Sequence, residues 1–384
     1  MQETECTAVM DTIPSPSPLT PPDTEEERLS WLRLLRSRRV GIATFFRLMS
    51  RHGGALGALA ALPEIASAAG VDGYRVCPAE VAQAEMTTAR LAGARMLTFG
   101  APGYPARLMT LTDPPPILWA LGRGELADRA AIAIVGARNA SSLGTRMAKR
   151  LGADLGEAGH TVVSGLARGI DTAAHLAAID SGTIAVMAGG VDVVYPAENA
   201  VLAQEIGENG LLVSEQPMGT QPQARHFPTR NRLISGLADA VVVVEAAAKS
   251  GSLITARDAL DQGRDVMAVP GHPFDARAAG CNMLIRDGAA LVRGSRDVIE
   301  SLAARQPDLA PPAAQAAPAP PRPLAAAADL HRQILDRIGP SPLAEDQLIR
   351  DLGLGAADIT PELVSLEMDG RIERRPGGLI ARLG

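Results

Sequence analysis

From residue 131 to residue 292, short apolar runs alternate with amphipathic segments that are long enough to form helices. This alternation predicts an α/β domain with a mostly parallel sheet and helices on both of its faces. The run Val241–Val244 lacks polar alternation, which is typical of a strand buried on both faces. The predicted strands are Ala131–Val135, Thr161–Ser164, Thr183–Ala188, Leu211–Ser214, Ala240–Glu245, Val266–Val269 and Ala289–Val292.

The sequence before this domain divides into a tail and a small helical domain. Residues 1–24 are rich in Pro, Ser and Thr and are predicted to be disordered. Residues 25–94 predict helices, two of them around His52-Gly53-Gly54, as in a helix-hairpin-helix (SAM-like) domain. Its backbone amides could hold DNA phosphate, although a packing role for this bundle is slightly favoured. The α/β domain is placed at 95–304, and its first part, 95–125, is expected to be an extended lead-in.

The sequence after this domain predicts a linker and a second small domain. Residues 305–328 are mostly Pro and Ala, which indicates a semi-rigid linker. Residues 329–384 predict three helices and a hairpin, the outline of a winged-helix-like domain. The third helix contains acidic residues and no Lys or Arg, so a protein-binding or regulatory role is expected rather than DNA reading. The predicted helices are Asp329–Ile338, Leu343–Leu352 and Ile359–Asp369, the last with Pro361 in its first turn.

Charge and cysteine content limit the possible functions. The formal net charge is −6, which argues against a general nucleic-acid binder unless positive charge is concentrated locally. The three cysteines, Cys6, Cys77 and Cys281, are far apart and predict neither a disulfide framework nor a metal site. The chain has no signal-peptide pattern and no apolar run long enough for a membrane span, so a cytoplasmic protein is expected.

Basic residues and glycine turns follow several predicted strands. Since ligands of open α/β sheets bind at the carboxyl ends of the strands, these groups predict an anion-binding crevice there. Arginines can clamp phosphate and Phe227 can stack on a base, which favours single-stranded DNA as the ligand. The candidate DNA-binding residues are Gly136, Arg138, Ser164, Gly165, Arg168, Phe227, Arg230, Asn231, Arg232, Lys249, Ser250 and Gly251.

The same turns argue against a nucleotide cofactor. Arg138 occupies the position of the second glycine in the dinucleotide-binding fingerprint, where backbone should approach a pyrophosphate. The second strand ends in Ser164-Gly165 with no acidic residue to bind a ribose, and no Gly-Lys-Ser/Thr of a P-loop follows. We therefore expect no cofactor and no catalytic residue in this crevice.

These segments together resemble the DNA-processing protein A family, also called DprA or Smf. The resemblance covers about residues 100–301 and implies an extended Rossmann-like fold. It further implies a non-enzymatic protein that dimerises, binds single-stranded DNA and loads the RecA recombinase during natural transformation. The family's DNA pocket maps onto Arg138, Phe227, Arg230, Arg232 and Lys249. The segments that carry the resemblance are Gly136–Arg138, Ser164–His175, Tyr195-Pro196, Phe227–Gly236, Val244–Ala246 with Ser250-Gly251, Gly263–Gly271 and Asn282–Ala289.

One position departs from the pattern of the family. Ala279 stands where the family commonly has a serine, so a hydroxyl contact there is not expected.

The alternative function is a nucleotide-processing enzyme similar to phosphoribohydrolases, which share a related fold. Those enzymes carry a Pro-Gly-Gly-x-Gly-Thr-x-x-Glu loop, whereas the corresponding segment here, Ala248–Thr255, has no glutamate base.

Overall fold

The computed structural model describes residues 19–305, 324–339, 342–353, 355–375 and 379–382. It contains two compact units, Met1–Arg305 and Gln306–Gly384. Most of the predicted tail, residues 1–18, and most of the predicted linker, residues 306–323, lie outside the described residues.

The larger unit is built on a nine-stranded sheet with the order β1-β2-β6-β5-β4-β3-β7-β8-β9. Each predicted strand is present, and the first or last residue of several strands differs from the prediction by one or two positions. The strands are β1 Arg95–Thr98, β2 Ile117–Gly122, β3 Ala131–Val135, β4 Thr161–Ser164, β5 Thr183–Val186, β6 Leu211–Ser214, β7 Ala240–Val243, β8 Asp265–Ala268 and β9 Ala290–Leu291.

The order of the strands reverses at β3. From β3 the parallel sheet extends through β4 and β5 to β6 in one direction, and through β7 and β8 to β9 in the other. Such a reversal leaves a crevice outside the carboxyl ends of the strands on either side of it. The connecting helices are α5 Ala106–Met109, α6 Ser142–Glu157, α7 Ile170–Ala178, α8 Ala200–Asn209, α9 His226–Leu237, α10 Ser252–Asp261, α11 Ala279–Arg286 and α12 Ser295–Arg305.

The segment 95–125 is not the extended lead-in that the sequence predicts. It contributes β1 and β2, which extend the sheet beyond β6 in antiparallel register. Residues of β2 are buried on both faces, because Ile117 and Trp119 pack against the N-terminal helices while Leu118 and Ala120 pack into the central core. This double burial explains the continuous apolar run. The antiparallel pairing of β1 and β2 makes the sheet mixed rather than wholly parallel.

The N-terminal helices pack against this added edge of the sheet. They are α1 Glu25–Arg36, α2 Ile42–His52, α3 Ala55–Ala68 and α4 Ala79–Leu91, and Gly53 and Gly54 form the turn between α2 and α3 as predicted. Glu85 of α4 joins three elements: it accepts hydrogen bonds from Arg36 of α1 at 2.8 and 2.9 Å and from Trp119 Nε1 of β2 at 2.8 Å.

The smaller unit has the predicted outline of a winged helix. Its elements are α13 Leu324–Arg337, β10 Leu343–Ala344, α14 Glu345–Leu352, α15 Ala356–Met368, β11 Ile372–Arg375 and β12 Leu379–Arg382. The short β10 was not predicted and pairs with β12 in a three-stranded sheet. The third helix begins at Ala356, so Pro361 lies in its second turn and not in its first.

Because Glu85 is nearly buried and holds both Arg36 and Trp119, its replacement should loosen the N-terminal helices from the sheet. We expect Glu85→Ala to lower the free energy of unfolding by about 3 kcal/mol, since it leaves the part-buried guanidinium of Arg36 without its partner. Urea titration followed by tryptophan fluorescence measures this. The exposed Glu80→Ala on the same helix is the control, and equal stabilities of the two variants would contradict the assignment.

Candidate nucleic-acid interface

A crevice opens where β3 lies between β4 and β7. The turn after β3 supplies Arg138 and Asn139, the turn after β4 supplies Arg168, and the turn after β7 supplies Lys249 and Ser250. Four more of the predicted site residues, Gly136, Phe227, Asn231 and Gly251, line it as well, together with the floor residues Gly165 and Arg230. The predicted residue Ser164 does not line it, because its side chain is fully buried and its hydroxyl donates to the Ile134 carbonyl at 2.6 Å. The crevice is therefore assembled from the segments that the sequence predicts.

An aromatic pair stands at one end of the crevice. The rings of Tyr195 and Phe227 are 5.6 Å apart between centres and tilted by 59°. The guanidinium carbon of Arg138 lies 5.1 Å from the centre of the Phe227 ring, within the range of a cation–π contact. Tyr195 is half exposed, at 50%. The pair thus offers aromatic surface and positive charge to the same ligand.

Exposed cations border the remaining crevice. Arg138 and Lys249 are exposed and have no acidic partner among the described residues. Arg168 is exposed as well, but its Nε lies 2.6 Å from Glu198 Oε1. Ser250 and Ser252 share a hydrogen bond of 2.8 Å at the start of α10, and Asn231 Nδ2 donates to the Gly251 carbonyl at 3.4 Å. Of these three cations, Arg138 and Lys249 are therefore free to bind an anion, whereas Arg168 is already paired with Glu198.

Arg230 forms the floor of the crevice and is not one of its exposed clamps. Its side chain is only 5% exposed, and Nη1 donates to the carbonyl oxygens of Gly165, at 2.6 Å, and Val186. Gly165 has no room for a side chain, because a Cβ there would lie 2.1 Å from Arg230 Nη1. Burial lowers the pKa of Arg230 to about 10, so it stays charged at neutral pH.

Asp171 and His175 complete the buried layer beneath the crevice. Asp171 accepts hydrogen bonds from the amides of Gly165 and Ala167 at 3.2 and 3.3 Å and thereby braces the loop after β4. Burial raises the pKa of Asp171, while Arg230 and these amides act in the opposite direction. His175 accepts from the Leu166 amide and contacts Thr183 Oγ1 at 2.7 Å, as a packed helix residue.

The prediction that Arg232 lines the crevice is wrong. Arg232 is 8% exposed and forms ion pairs with Glu215 at 2.5 Å and Asp113 at 3.2 Å. The reason is the geometry of α9, since side chains two positions apart on a helix point to different faces. Arg230 faces the crevice floor, so Arg232 must face elsewhere. Its charge is neutralised inside the protein.

A carboxylate occupies the start of α6, where the free amides of a first helical turn can otherwise bind an anion. Glu245 Oε2 accepts from the Ser141 amide at 2.9 Å, and Glu245 also bonds to the Ser141 hydroxyl. A Cβ on Gly144 would lie 2.4 Å from the Glu245 carboxyl carbon. A pyrophosphate at this first turn would meet a fixed negative charge, which agrees with the missing dinucleotide fingerprint. The α6 terminus is therefore not a phosphate site.

Sequence reasoning missed Tyr195 and Arg277 as crevice residues. Both line the crevice, Tyr195 at the aromatic end and Arg277 beside Lys249. Tyr195 follows the end of β5 by nine positions and Arg277 follows the end of β8 by nine positions, and the sequence does not indicate the path of such loops. Tyr195-Pro196 is one of the segments that carry the family resemblance, and this is the signal that could have indicated Tyr195.

The described residues contain no group of three or more His, Cys, Asp and Glu side chains that could hold a metal ion. Among the same residues, no helix is long and apolar enough to cross a bilayer.

Three family models match successive parts of the chain. Residues 25–88 match the DprA-like N-terminal HHH domain, and residues 95–303 match the DNA recombination-mediator protein A family. Residues 317–378 match the DprA winged helix domain. Together they agree with the order of a helical domain, a Rossmann-like domain and a winged helix.

Individual relatives give the same result. The chain is 43% identical over 216 residues to DNA processing protein DprA of Bacillus subtilis, covering 56% of this chain and 73% of that protein. The structure of DprA from Streptococcus pneumoniae matches with 38% identity and a TM-score of 0.53, over 62% of this chain and 86% of that one. DNA processing protein A from Helicobacter pylori, studied for its single-stranded DNA binding mode, matches with 30% identity and a TM-score of 0.51, over 55% and 96%.

The buried histidine predicts a pH-dependent stability. Burial lowers the pKa of His175 from 6.5 to about 3, so the folded protein holds it neutral while the unfolded chain protonates it below about pH 6.5. Unfolding takes up this proton between those values, so stability should fall as the pH is lowered from 6.5 toward 3. His175 should contribute up to about 1.4 kcal/mol of this loss per pH unit.

Urea unfolding at pH 7.0 and 5.5 measures this contribution. His175→Gln should lose less stability between the two pH values than the native protein, whereas His272→Gln, at an exposed position, should behave like the native protein. The same pH dependence in all three proteins would contradict the assignment.

Proposed function

The chain belongs to the DNA recombination-mediator protein A family, and we propose that it binds single-stranded DNA in the crevice between β3, β4 and β7. The observation that carries this proposal is the aromatic pair Tyr195–Phe227 beside the exposed, unpaired Arg138. Aromatic rings stack on any base, and arginine binds phosphate through a fork of donors. Single-stranded DNA is the ligand that presents both unstacked bases and phosphates.

The arrangement favours binding without sequence recognition. The exposed groups of the crevice are cations, hydroxyls and rings, with few amide side chains placed to read the edges of a base. A duplex would offer its phosphates but not the faces of its bases, so Tyr195 and Phe227 would have nothing to stack on. The H. pylori relative, described for its single-stranded DNA binding mode, supports the same ligand.

We further propose that the bound strand is passed to a RecA-type recombinase in natural transformation or recombination. This part rests on membership of a family of recombination mediators. We also propose that the protein works as a homodimer in the cytoplasm. Its winged-helix unit is proposed to contact protein rather than DNA. Within the described part of α15, the residues from Ile359 to Met368 include Glu362 and Glu367 and no cation.

The crevice is proposed to bind and not to catalyse. The carboxylate that lines it, Asp171, is already engaged with two backbone amides in the floor, and Glu245 at the start of α6 is engaged with Ser141. Neither is placed to activate a water molecule for attack on a nucleotide. Incubation of the protein with AMP should release no adenine that chromatography detects. Release of more moles of adenine than there are moles of protein would instead favour the phosphoribohydrolase alternative.

Removing the two unpaired cations should weaken DNA binding without harming the fold. We expect Arg138→Ala with Lys249→Ala to bind oligo-dT at least tenfold more weakly in fluorescence anisotropy at 0.1 M salt. Each lost phosphate contact should also reduce the slope of log K against log salt by about 0.7. Both residues are exposed, so the free energy of unfolding should stay within about 0.5 kcal/mol of the native value.

The control is Arg296→Ala, which removes an exposed arginine from α12. It should leave both affinity and salt slope unchanged. Native affinity in the double variant would refute the crevice as the binding site. Arg230→Ala is not an equivalent test, because it removes a buried side chain of the floor and should lower stability together with binding.

The transfer of DNA to the recombinase can be tested separately. We expect the native protein to shorten the lag before RecA hydrolyses ATP on DNA coated with a single-strand binding protein, and the double variant to lose this effect. Absence of any effect from a native protein that binds oligo-dT would refute the loading role and leave the binding role intact.

A further inference from the structure

Phe274 is the most exposed large hydrophobic side chain among the described residues, at 95%. It lies in the loop between β8 and α11, which we call the Phe274 loop, residues 271–278. The His272 ring lies 5.5 Å from the Phe274 ring between centres, and the planes are inclined by 39°. The proposed crevice does not use either ring.

The exposure of Phe274 does not result from a loose loop. Asn282 closes the base of the loop, since its Oδ1 accepts from the Gly271 amide at 3.1 Å and its Nδ2 donates to the Gly271 carbonyl at 3.0 Å. A Cβ on Gly271 would lie 2.5 Å from the Ala278 Cβ, so the two ends of the loop approach closely. Within the loop, main-chain bonds from Asp275 to His272 and from Ala278 to Asp275 form successive turns, both at 2.9 Å.

The Phe274 loop separates the crevice from a second groove. Arg277 at one side of the loop lines the crevice together with Lys249 and Ser250. His272 and Asp275 at the other side line the second groove, whose opposite wall is α6. That wall supplies Arg146 and Lys149, which are exposed and have no acidic partner in the described part of the chain, and Arg150, which lies 3.6 Å from Asp154. Two carboxylates also line the groove, and both are engaged: Glu245 bonds to Ser141, and Asp275 pairs with Arg277 at 3.1 Å.

We propose that a single strand filling the crevice continues past Arg277, stacks a base on Phe274 and places the following phosphates beside Arg146 and Lys149. This inference rests on the proposed function of the crevice and extends it to a second stacking site. A solvent-exposed phenylalanine between two grooves that both carry free cations fits a ligand with alternating flat apolar and anionic parts. Single-stranded DNA has this alternation, with a base and a phosphate in every nucleotide.

The length of the oligonucleotide distinguishes the two stacking sites. We expect Phe274→Ala to bind oligo-dT of about 5 nucleotides like the native protein, and oligo-dT of about 20 nucleotides roughly tenfold more weakly. Arg146→Ala with Lys149→Ala should show the same dependence on length. Leu91→Ala, which removes an exposed leucine from α4, is the matched control and should bind both lengths normally.

A tryptophan at the same position reports stacking directly. Trp31 and Trp119 are both almost fully buried, so in Phe274→Trp the new indole is the one that reaches the ligand. Its fluorescence should be quenched by the long oligonucleotide and not by the short one. Equal affinity of Phe274→Ala and native protein for the long strand, or an unquenched indole with the long strand bound, would overturn the second site.

These outcomes are separable from failure of the crevice itself. If the native protein binds neither length of oligo-dT, the proposed function fails and the second site fails with it. If the native protein binds both lengths and only the Phe274 results are negative, the crevice stands alone. Loss of recombinase loading in Phe274→Ala with normal binding of both lengths would assign Phe274 to a protein contact and overturn the stacking proposal.

Discussion

The crevice depends on one buried cation, Arg230, whose guanidinium holds the turns after β4 and β5 together through the carbonyls of Gly165 and Val186. A buried charge is costly unless it is paired and hydrogen-bonded, and here Asp171 and two carbonyls supply the compensation. The cation fixes the start of the turn that carries Arg168 against the end of β5. It also adds positive charge directly below the ligand. The floor therefore shapes the crevice, while Arg138 and Lys249 at the rim remain free to meet phosphate.

Neighbouring carboxylates decide which of the other cations and which helix-start amides remain available to a ligand. Glu215 and Asp113 neutralise Arg232, and Glu245 fills the start of α6. In a Rossmann-like fold that helix start is the usual place for a pyrophosphate. With this place occupied, an anion in the crevice is directed toward Arg138, Arg168 and Lys249 instead. This arrangement suits the polymer ligand that we propose better than it suits a dinucleotide.

The sequence predicts the parts of the fold that depend on local patterns. Strands buried on both faces are visible as apolar runs, and glycine turns mark their ends, so β3 to β9 and the crevice could be located. The antiparallel β1 and β2 could not, because their place in the sheet depends on pairing with β6, which is distant in sequence. The burial of Arg232 also depends on partners that are distant in sequence. The sequence alone nevertheless excludes that Arg230 and Arg232 both face the crevice, because side chains two positions apart on a helix point to different faces. Tyr195 was overlooked because it lies nine positions beyond the end of β5, farther than Arg138 or Arg168 lies from its strand.

The acidic balance of the chain determines how such a crevice must work. With a net charge of −6, the protein as a whole repels a polyanion, and screening limits the attraction of the crevice cations to about 8 Å at physiological salt. Contacts that do not depend on charge, such as stacking, must then contribute a larger share of the binding affinity than they do in a basic nucleic-acid-binding protein. Aromatic residues make up only 3% of the chain, yet Tyr195, Phe227 and Phe274 all lie along the crevice or its border. Stacking is insensitive to salt compared with phosphate contacts, so this distribution supports the proposal that an acidic protein holds a single strand at the crevice while its remaining surface repels one.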